Sequence, residues 1–335
     1  MKTVFVTGGA GYVGAVLVPK LLAKGHSVKV LDLFIFEGAG FPESDALECI
    51  EGDIRDQDLL REIIPGSDAL IHLAAISNDP SFEIDSDLSR SINYECVEPL
   101  VKVSKECGVR RFINVSTSSV YGVSDADNVG EDHPLVPLTD YNKYKGMSEP
   151  LPLKHQSDAF TAVVIRPATV CGYSPRLRLD LTVNLLTNLA VNNRKITIFG
   201  GTQKRPNIHI EDVTDLYVDL LEMEDALIAG KTFNAGYQNH TVAEIGEIVR
   251  SVVVREMPDL DPIEVETTPS DDLRSYHISS EKIRRELGFV PKRTIEDAVA
   301  DLCRAFREGR IPNSLSDSRY FNVKRVKEWM SERRR

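Results

Sequence analysis

The sequence lacks most of the features that would place it in a specialised class of protein. Its five cysteines are odd in number and scattered, without the short paired spacing of a zinc site, a redox motif or a disulfide framework. No apolar run reaches the ~18 residues that a transmembrane helix needs, so no membrane contact is predicted. The opening run KTVFVTGG lacks the basic region and cleavage site of a signal peptide. These absences predict a cytoplasmic protein with reduced thiols.

Positive charge is also scarce. The chain has 51 acidic and 40 basic residues, for a formal net charge of -11. It has no basic stripe interleaved with aromatic residues, which argues against a nucleic-acid partner. The only basic block, from Lys324 to Arg335, is predicted to be a frayed amphipathic terminal helix rather than a docking tail. No cluster of His, Cys and carboxylate residues suggests a metal site.

What the sequence does contain is an alternation of β-branched or aliphatic runs with amphipathic helical patterns. With 335 residues and 42% hydrophobic content, it is long enough for one large α/β unit and a smaller appended one. Such alternation predicts a parallel sheet with right-handed crossovers. The predicted strands are KTVFVTG, HSVKVLD, LECIEGD, DALIHLAA, RRFINVST and TAVVIRP.

The rhythm changes after Pro167, where helical and strand patterns mix. The later run GKTFNAG has the pattern of one more strand of the first sheet. We therefore predict a first domain over residues 1–170, with residues 211–238 returning to it. The second, substrate-binding domain is predicted to comprise residues 171–210 and 239–335.

The motif TGGAGYVG predicts a dinucleotide site. It places Gly8, Gly11 and Gly14 directly after the first strand and at the start of the first helix. Glycine is needed there for a tight turn, for close approach to a pyrophosphate and for packing of helix on sheet. Asp32 closes the second strand, where a carboxylate accepts hydrogen bonds from a ribose and repels a 2′-phosphate, so NAD is favoured over NADP. Asp53 ends the third strand, where an adenine edge could be recognised.

The stretch DYNKYKGMSE raises the question of catalysis. Tyr141 and Lys145 are four residues apart and would lie on one face of a helix. A phenol has an ordinary pKa of ~10 and is a poor base near neutral pH, but a nearby cation favours its ionised form. Taken alone, such a pair is also typical of a solvated helix surface, so the assignment depends on the rest of the chain.

Seven motifs together resemble an extended short-chain dehydrogenase/reductase of the nucleotide-sugar epimerase/dehydratase group. They are TGGAGYVG, GDIRD, HLAA, NVSTSSVYG, DYNKYK, IRPATVCG and RPNIHIEDV. The resemblance implies an α/β fold, a Rossmann doubly wound parallel sheet with a smaller C-terminal α/β substrate-binding domain. It also implies a homodimer in which helices holding Asn93 to Cys107 and Tyr141 to Lys154 form a four-helix bundle.

The same resemblance implies the catalytic roles. The family's Tyr-x-x-x-Lys signature falls on Tyr141 and Lys145, and its active-site hydroxyl falls on Thr117. Tyr141 would remove a proton from a sugar hydroxyl while hydride passes from that carbon to NAD, and Thr117 would hydrogen-bond the same oxygen.

Binding residues are implied in the same way. The cofactor contacts would be Gly8, Gly11, Tyr12, Val13, Gly14, Asp32, Asp53, Ile54, Leu73, Ala74, Ala75, Asn93, Tyr141, Lys145, Pro167, Thr169 and Val170. The substrate contacts would be Ser77, Thr117, Ser118, Arg176, Arg178, Asn184, Arg205 and Arg274. Among these, Arg205 and Arg274 would meet the substrate's diphosphate, which suits the fork geometry of arginine. The segments SPRLRLDLTVN and DDLRSY are similar to a subgroup that oxidises GDP-manno-heptose at C4.

Several functions stay open at this point. The enzyme would oxidise the sugar transiently at C4 and act as an epimerase, or release the ketone as a dehydrogenase. An NAD-dependent dehydrogenase or reductase of a non-nucleotide alcohol would have the same cofactor half, but would leave Arg205 and Arg274 without a purpose. A cofactor-binding regulator without catalysis would not need the Tyr and Lys pair.

We predict that oxidation at C4 is not followed by loss of water. In the 4,6-dehydratase branch of the resembled family an Asp-Glu pair follows the active-site threonine, whereas here Ser118 and Ser119 follow it. A serine hydroxyl is neither a strong enough acid nor a carboxylate base for that elimination. Mass spectrometry should show a product of unchanged mass, or a 4-keto sugar two hydrogens lighter, and a product lighter by one water would contradict the prediction.

Overall fold

A computed structural model describes residues 1–124, 126, 128–269, 275 and 277–333, with the side chain of the last left aside. The strands are β1 (Thr3–Thr7), β2 (Ser27–Asp32), β3 (Leu47–Glu51), β4 (Ala69–His72), β5 (Arg111–Val115), β6 (Thr161–Pro167), β7 (Thr169–Cys171), β8 (Lys195–Phe199), β9 (Lys204–His209), β10 (Lys231–Ala235), β11 (Gln238–Thr241) and β12 (Glu264–Thr268). The α-helices are α1 (Gly14–Ala23), α2 (Gln57–Ile63), α3 (Asp79–Phe82), α4 (Ser86–Arg90), α5 (Val97–Glu106), α6 (Asp140–Ser148), α7 (Pro150–Leu153), α8 (Thr182–Asn193), α9 (Ile210–Asp219), α10 (Asp225–Ile228), α11 (Val242–Glu256), α12 (Glu281–Leu287), α13 (Ile295–Arg307) and α14 (Asn322–Arg333). A π-helical turn covers Ser91–Glu95, and short 3-10 turns cover Ser118–Tyr121, Pro258–Leu260 and Ser318–Tyr320.

Seven strands form one parallel sheet in the order β10-β6-β5-β4-β1-β2-β3. Every residue of β4 and of β6 is buried, as expected for strands with helices on both faces, and this burial explains their continuous aliphatic runs. The order outward from β1 is that of a doubly wound dinucleotide-binding sheet. The predicted fold class is confirmed.

Helices cover both faces of this sheet. On one face α1 and α9 contribute Leu17 and Leu216 to a core with β1 and β10. On the other face α2 and α5 contribute Leu60 and Leu100 to a second core. No helix within the described ranges is long and apolar enough to cross a membrane.

The rest of the chain forms a smaller α/β part beside the sheet. There α8, α11 and α13 pack on the parallel pair β8 and β12, around Val183, Ile196, Ile245 and Val299. The strands of a three-stranded sheet of order β11-β9-β7 alternate along the chain with strands of the other two sheets. Because β10 belongs to the large sheet, the chain returns to it after β9, while the domain limits themselves stay a prediction.

A buried ion pair attaches the end of α6 to the large sheet. Glu149, which follows α6, accepts hydrogen bonds from Arg166 of β6 at 2.6 Å and from Ser116 at 2.5 Å. Arg166 also donates to the hydroxyl of Tyr121 at 2.7 Å. All four side chains are buried, so α6 is held at the carboxyl edge of β5 and β6.

Removing one charge of this ion pair should destabilise the fold more than replacing both residues by apolar ones. Arg166→Met leaves the Glu149 carboxylate buried without its cation and is expected to lower the free energy of unfolding by about 3–5 kcal/mol. The double variant Glu149→Leu, Arg166→Met removes both charges and should recover most of that loss. Denaturant unfolding of the two variants measures the difference, and equal losses in both would contradict this account.

Candidate active site

One elongated cavity runs along the carboxyl edge of the large sheet. Its lining follows the order of the strands: Asp53 after β3, Asp32 at the end of β2, Gly8 after β1, Leu73 after β4 and Ser116 after β5. Parallel sheets bind ligands at this edge, where the strand order reverses between β1 and β4. The fold therefore brings residues from five separate sequence motifs to one site.

The glycine-rich loop forms the floor of the cavity. Gly8 has a φ of +71°, and a Cβ there would lie 2.6 Å from the backbone of Ala74. A Cβ on Gly14 would lie 2.1 Å from the carbonyl oxygen of Gly9, whereas one on Gly11 would meet only the Gly8 carbonyl oxygen at 3.2 Å. The first and last glycines are thus needed for the turn and for helix packing, and Gly11 leaves room for a ligand at the start of α1.

Asp32 presents its carboxylate at one end of the cavity. Its oxygens accept hydrogen bonds from the backbone N–H groups of Ala10 and Phe34, each at 2.9 Å. Burial raises the pKa of Asp32, although these hydrogen bonds partly oppose the shift. Asp53 lies beside it in the cavity and is paired with Arg55 at 2.6 Å. An acceptor-only carboxylate above a glycine turn fits the ribose and pyrophosphate of the NAD predicted from the sequence.

Tyr141 and Lys145 line the opposite end of the cavity, on the inner face of α6. The Lys145 ammonium donates to the carbonyl oxygen of Val115, at the end of β5, at 2.6 Å. Burial lowers the pKa of Lys145 to about 8, while Glu149 and Cys96 raise it in part. The helical spacing predicted for this pair is confirmed.

A chain of polar side chains connects Thr117 to α6. The hydroxyl oxygens of Thr117 and Ser119 lie 2.9 Å apart, and Ser119 donates to the side-chain oxygen of Asn142 at 2.5 Å. Asn142 follows Tyr141 directly and is fully buried. Thr117 also caps the 3-10 turn of Ser118–Tyr121 by accepting from the Ser119 N–H. These partly buried hydrogen bonds fix the position of Thr117 relative to Asn142, the residue after Tyr141.

A second cation lies within electrostatic reach of Tyr141. Arg178 lines the same cavity and is paired with Asp180 at 2.9 Å. Burial lowers the pKa of Arg178, but Asp180 and, to a smaller extent, Tyr141 outweigh burial, so that the pKa is raised. Arg178 thus stays charged on the same cavity wall as Tyr141. The sequence predicts a substrate-binding role for Arg178.

Most of the predicted cofactor residues line the cavity, and some do not. Within the described part of the chain the lining includes Gly8, Gly11, Tyr12, Val13, Gly14, Asp32, Asp53, Ile54, Leu73, Ala74, Ala75, Tyr141 and Lys145. Asn93 lies behind the wall, where its amide exchanges two hydrogen bonds with the backbone of Ile76 at 2.8 and 2.9 Å. Pro167, Thr169 and Val170 lie at the end of β6 and in β7, outside the lining.

The predicted substrate residues are dispersed. Ser77, Arg176 and Arg178 line the cavity. Asn184 is buried, accepts from the Gly172 N–H at 3.0 Å and donates to the Arg178 carbonyl oxygen at 2.9 Å, so a phosphate would have to displace internal partners. Buried Arg205 lies on β9.

Thr117, Ser118 and Arg274 complete the predicted substrate set, and Thr117 is not among the described residues that line the cavity. Ser118 is buried in its 3-10 turn and is not among the described residues that line the cavity. Arg274 lies outside the described residues. The substrate roles of all three stay predictions.

The histidine and cysteine side chains that the sequence analysis considered outside this cavity have structural rather than catalytic contacts. His209 caps α9 by accepting from the Glu211 N–H at 3.1 Å, as expected for a structural histidine. The five cysteines are free thiols. Among the described residues, no three His, Cys, Asp or Glu side chains are grouped as a metal site would require.

Sequence reasoning missed several residues of the cavity wall, including four from two separate segments. Ile35 and Phe36 follow β2, and Asn322 and Val326 come from the first turns of α14. The basic block from Lys324 to Arg335 was predicted to be a frayed terminal helix, which is wrong for its beginning, because Val326 is buried and lines the cavity. Asn322, just before this block, is buried as well. Only long-range packing places a residue this close to the C-terminus beside β2, and no local motif signals it.

Comparisons with known proteins agree with this geometry. Residues 4–236 match the NAD dependent epimerase/dehydratase family. The chain is 30% identical to a UDP-glucose 4-epimerase of Corynebacterium glutamicum, over 88% of this chain and 94% of that protein. It is 27% identical to a dTDP-glucose 4,6-dehydratase of Streptomyces niveus, over 92% and 93% of the two chains. The dTDP-glucose 4,6-dehydratase of Streptomyces venezuelae, solved with NAD bound, superposes with a TM-score of 0.81 at 26% identity, over 92% of this chain and 98% of that one.

The buried Lys145 makes a prediction about pH. Below pH 8 its amine is charged in both the folded and the unfolded chain, so the fold bears the whole free-energy cost of burying that charge. Between pH 8 and the ordinary pKa of 10.5, the unfolded chain binds the extra proton, and stability rises with pH. Relative to Lys145→Met, the wild type should therefore gain about 3 kcal/mol across this window.

Denaturant unfolding from pH 7 to 11 measures this gain. Lys143→Met, at an exposed position on the same helix, is the matched control. A stability difference between the wild type and Lys145→Met that stays constant with pH would contradict the account.

Proposed function

The chain belongs to the NAD dependent epimerase/dehydratase family, and on that premise we propose that it oxidises a nucleotide sugar at C4 with Tyr141 as the base. The ketone is then re-reduced from the other face by an epimerase, or released by a dehydrogenase. The observation that carries the proposal is a single cavity lined at one end by the glycine loop and Asp32 and at the other by Tyr141 and Lys145.

Each side chain near Tyr141 has a role in this proposal. NAD, when bound by the glycine loop and Asp32, supplies the hydride acceptor. The Tyr141 phenolic oxygen takes the proton of the C4 hydroxyl, and Thr117 holds the same oxygen by a hydrogen bond. Lys145 and Arg178 place positive charge beside the phenol and favour its ionised form.

The nucleotide-sugar substrate is supported by the relatives, whose names specify UDP-glucose and dTDP-glucose. Arg205, Arg274 and Asn184 are proposed to meet its diphosphate. A thermal-shift screen of UDP, dTDP and GDP sugars in the presence of NAD tests this class, since a ligand selective for the folded chain raises its melting temperature. A shift with a non-nucleotide alcohol, and with none of the nucleotide sugars, would favour the alternative dehydrogenase.

Among the family's reactions we propose epimerisation or net oxidation rather than dehydration. The relatives include both a 4-epimerase and a 4,6-dehydratase, so similarity does not choose between them. Ser118 is buried in its 3-10 turn, and the Ser119 hydroxyl is used in the link to Asn142. Neither supplies the carboxyl group that elimination requires.

We also propose a homodimer through α5 and the helices α6 and α7, as the family resemblance implies. These helices lie together, joined by contacts of Glu98 on α5 with Lys154 and with His155, which lies 3.0 Å away. Met147 of α6 is an exposed apolar side chain. A monomeric mass in solution would contradict the dimer. The cytoplasmic location stays a prediction.

Tyr141→Phe tests the proposed base. The variant keeps the ring but loses the ionisable oxygen, so turnover should fall by about 10²- to 10⁴-fold while NAD and substrate still bind. Tyr144→Phe is the matched control on the same helix, because the Tyr144 ring packs on Phe82 with centroids 5.7 Å apart. Turnover at the wild-type rate in Tyr141→Phe, measured on a substrate found in the screen, would remove the base assignment.

A further inference from the structure

Arg176 lies in the cofactor half of the cavity. Its side chain is only 3% exposed and lines the cavity together with Asp32 and Phe36. The guanidinium carbon lies 3.6 Å from the centroid of the Phe36 ring, so the group is stacked in a fixed plane. Its position is therefore near the strand end where the sequence predicts the adenosine ribose.

Among the described residues, Arg178 has a carboxylate partner for its positive charge and Arg176 does not. Arg178 pairs with Asp180 at 2.9 Å, whereas Arg176 has no carboxylate within ion-pair distance among the described residues, and its buried Nε has no hydrogen-bond partner there. Burial and the neighbouring Arg178 lower the pKa of Arg176 to about 9, against the opposing effects of Asp180 and Asp32. An anion bound in this part of the cavity would compensate the cost of the buried cation.

The C-terminal helix holds Arg176 in place. The side-chain oxygen of Asn322 accepts from Arg176 Nη2 at 2.7 Å, and its amide nitrogen donates to the Ser77 hydroxyl at 2.8 Å. One turn later, Arg325 donates to the carbonyl oxygen of Ile35 at 2.7 Å. The start of α14 is thereby fixed to both sides of the cavity, over the loop that follows β2.

We propose that Arg176 is a cofactor-binding residue that contacts the adenosine diphosphate half of NAD, and that Asn322 is its positioning residue. The glycine loop and Asp32 bind the same half of the dinucleotide, and both lie within electrostatic reach of Arg176, through Tyr12 and Asp32. This assignment differs from the substrate role that the sequence predicts for Arg176. It depends on NAD binding alone and not on the identity of the sugar.

Calorimetric titrations of the full-length apoprotein with NAD, ADP-ribose and a nucleoside diphosphate (UDP, dTDP or GDP) test the proposal. Arg176→Met keeps the side-chain bulk over Phe36 and removes the charge. The variant should lower the affinities for NAD and for ADP-ribose by the same factor, roughly tenfold or more. The affinity for the nucleoside diphosphate should not change. Arg285→Met, at an exposed arginine of α12, is the control and should change none of the three. Loss of nucleoside diphosphate binding with NAD affinity intact would return Arg176 to the substrate and overturn the proposal, as would no change in any ligand.

Asn322→Ala provides a second, independent readout. Trp329 on α14 is the only tryptophan of the chain. Its fluorescence should therefore fall when NADH binds and accepts energy from it, which gives a measure of NADH binding. The variant should bind NADH several-fold more weakly in this assay, performed well below the melting temperature of its apoprotein. Arg176→Lys keeps the charge but loses the two-pronged guanidinium, so its loss of NADH affinity should be intermediate. This variant replaces Arg176→Met in the test if Arg176→Met does not fold. Wild-type NADH affinity in both Asn322→Ala and the Arg176 variant would contradict the proposal.

Discussion

The position of α6 depends on buried polar contacts with the ends of β5 and β6. Lys145 donates to the carbonyl oxygen of Val115, and one turn later Glu149 is paired with Arg166. A helix of nine residues with a glycine at position 146 is too short to be stable alone in water. Its attachment to the sheet therefore supplies the geometry in which Tyr141 faces the cavity. The same attachment explains why a lysine with an unfavourable buried charge is held there.

The cavity holds more buried charge than a structural core would accept. Buried Lys145, Arg176 and Arg178 line it on the positive side, and the partly exposed Asp32 and Asp53 on the negative side. Buried charges cost folding free energy unless they are paired, and the protein pairs only some of these. The remaining positive charge near the glycine loop suits a ligand with a diphosphate, and that near Tyr141 suits an ionised phenol. The unpaired buried charges therefore lower the stability of the fold, and they also arrange the site before a ligand binds.

Local sequence patterns predict the parts of this structure that are set by local rules. The strands, the glycine turn at Gly8 and the one-face spacing of Tyr141 and Lys145 follow from periodicity and from the backbone needs of glycine. The contribution of Asn322 does not, because it depends on how α14 returns across the sheet edge from the far end of the chain. The sequence predicts a substrate role for Arg176, but it shows only an arginine in a loop and not the side of the cavity that the arginine occupies. Asn93 was expected in the cavity wall, and instead holds Ile76 from behind.

The central claim is that the sugar is oxidised at C4 by hydride transfer in this cavity. The most direct measurement is rapid mixing of the NAD-loaded enzyme with a nucleotide sugar from the thermal screen, followed by the absorbance of the reduced nicotinamide. The account predicts that reduced cofactor forms at a rate that falls when C4 carries deuterium, and that Tyr141→Phe forms almost none. Turnover of the sugar without any reduced cofactor, or with no isotope effect from C4 under single-turnover conditions, would contradict it.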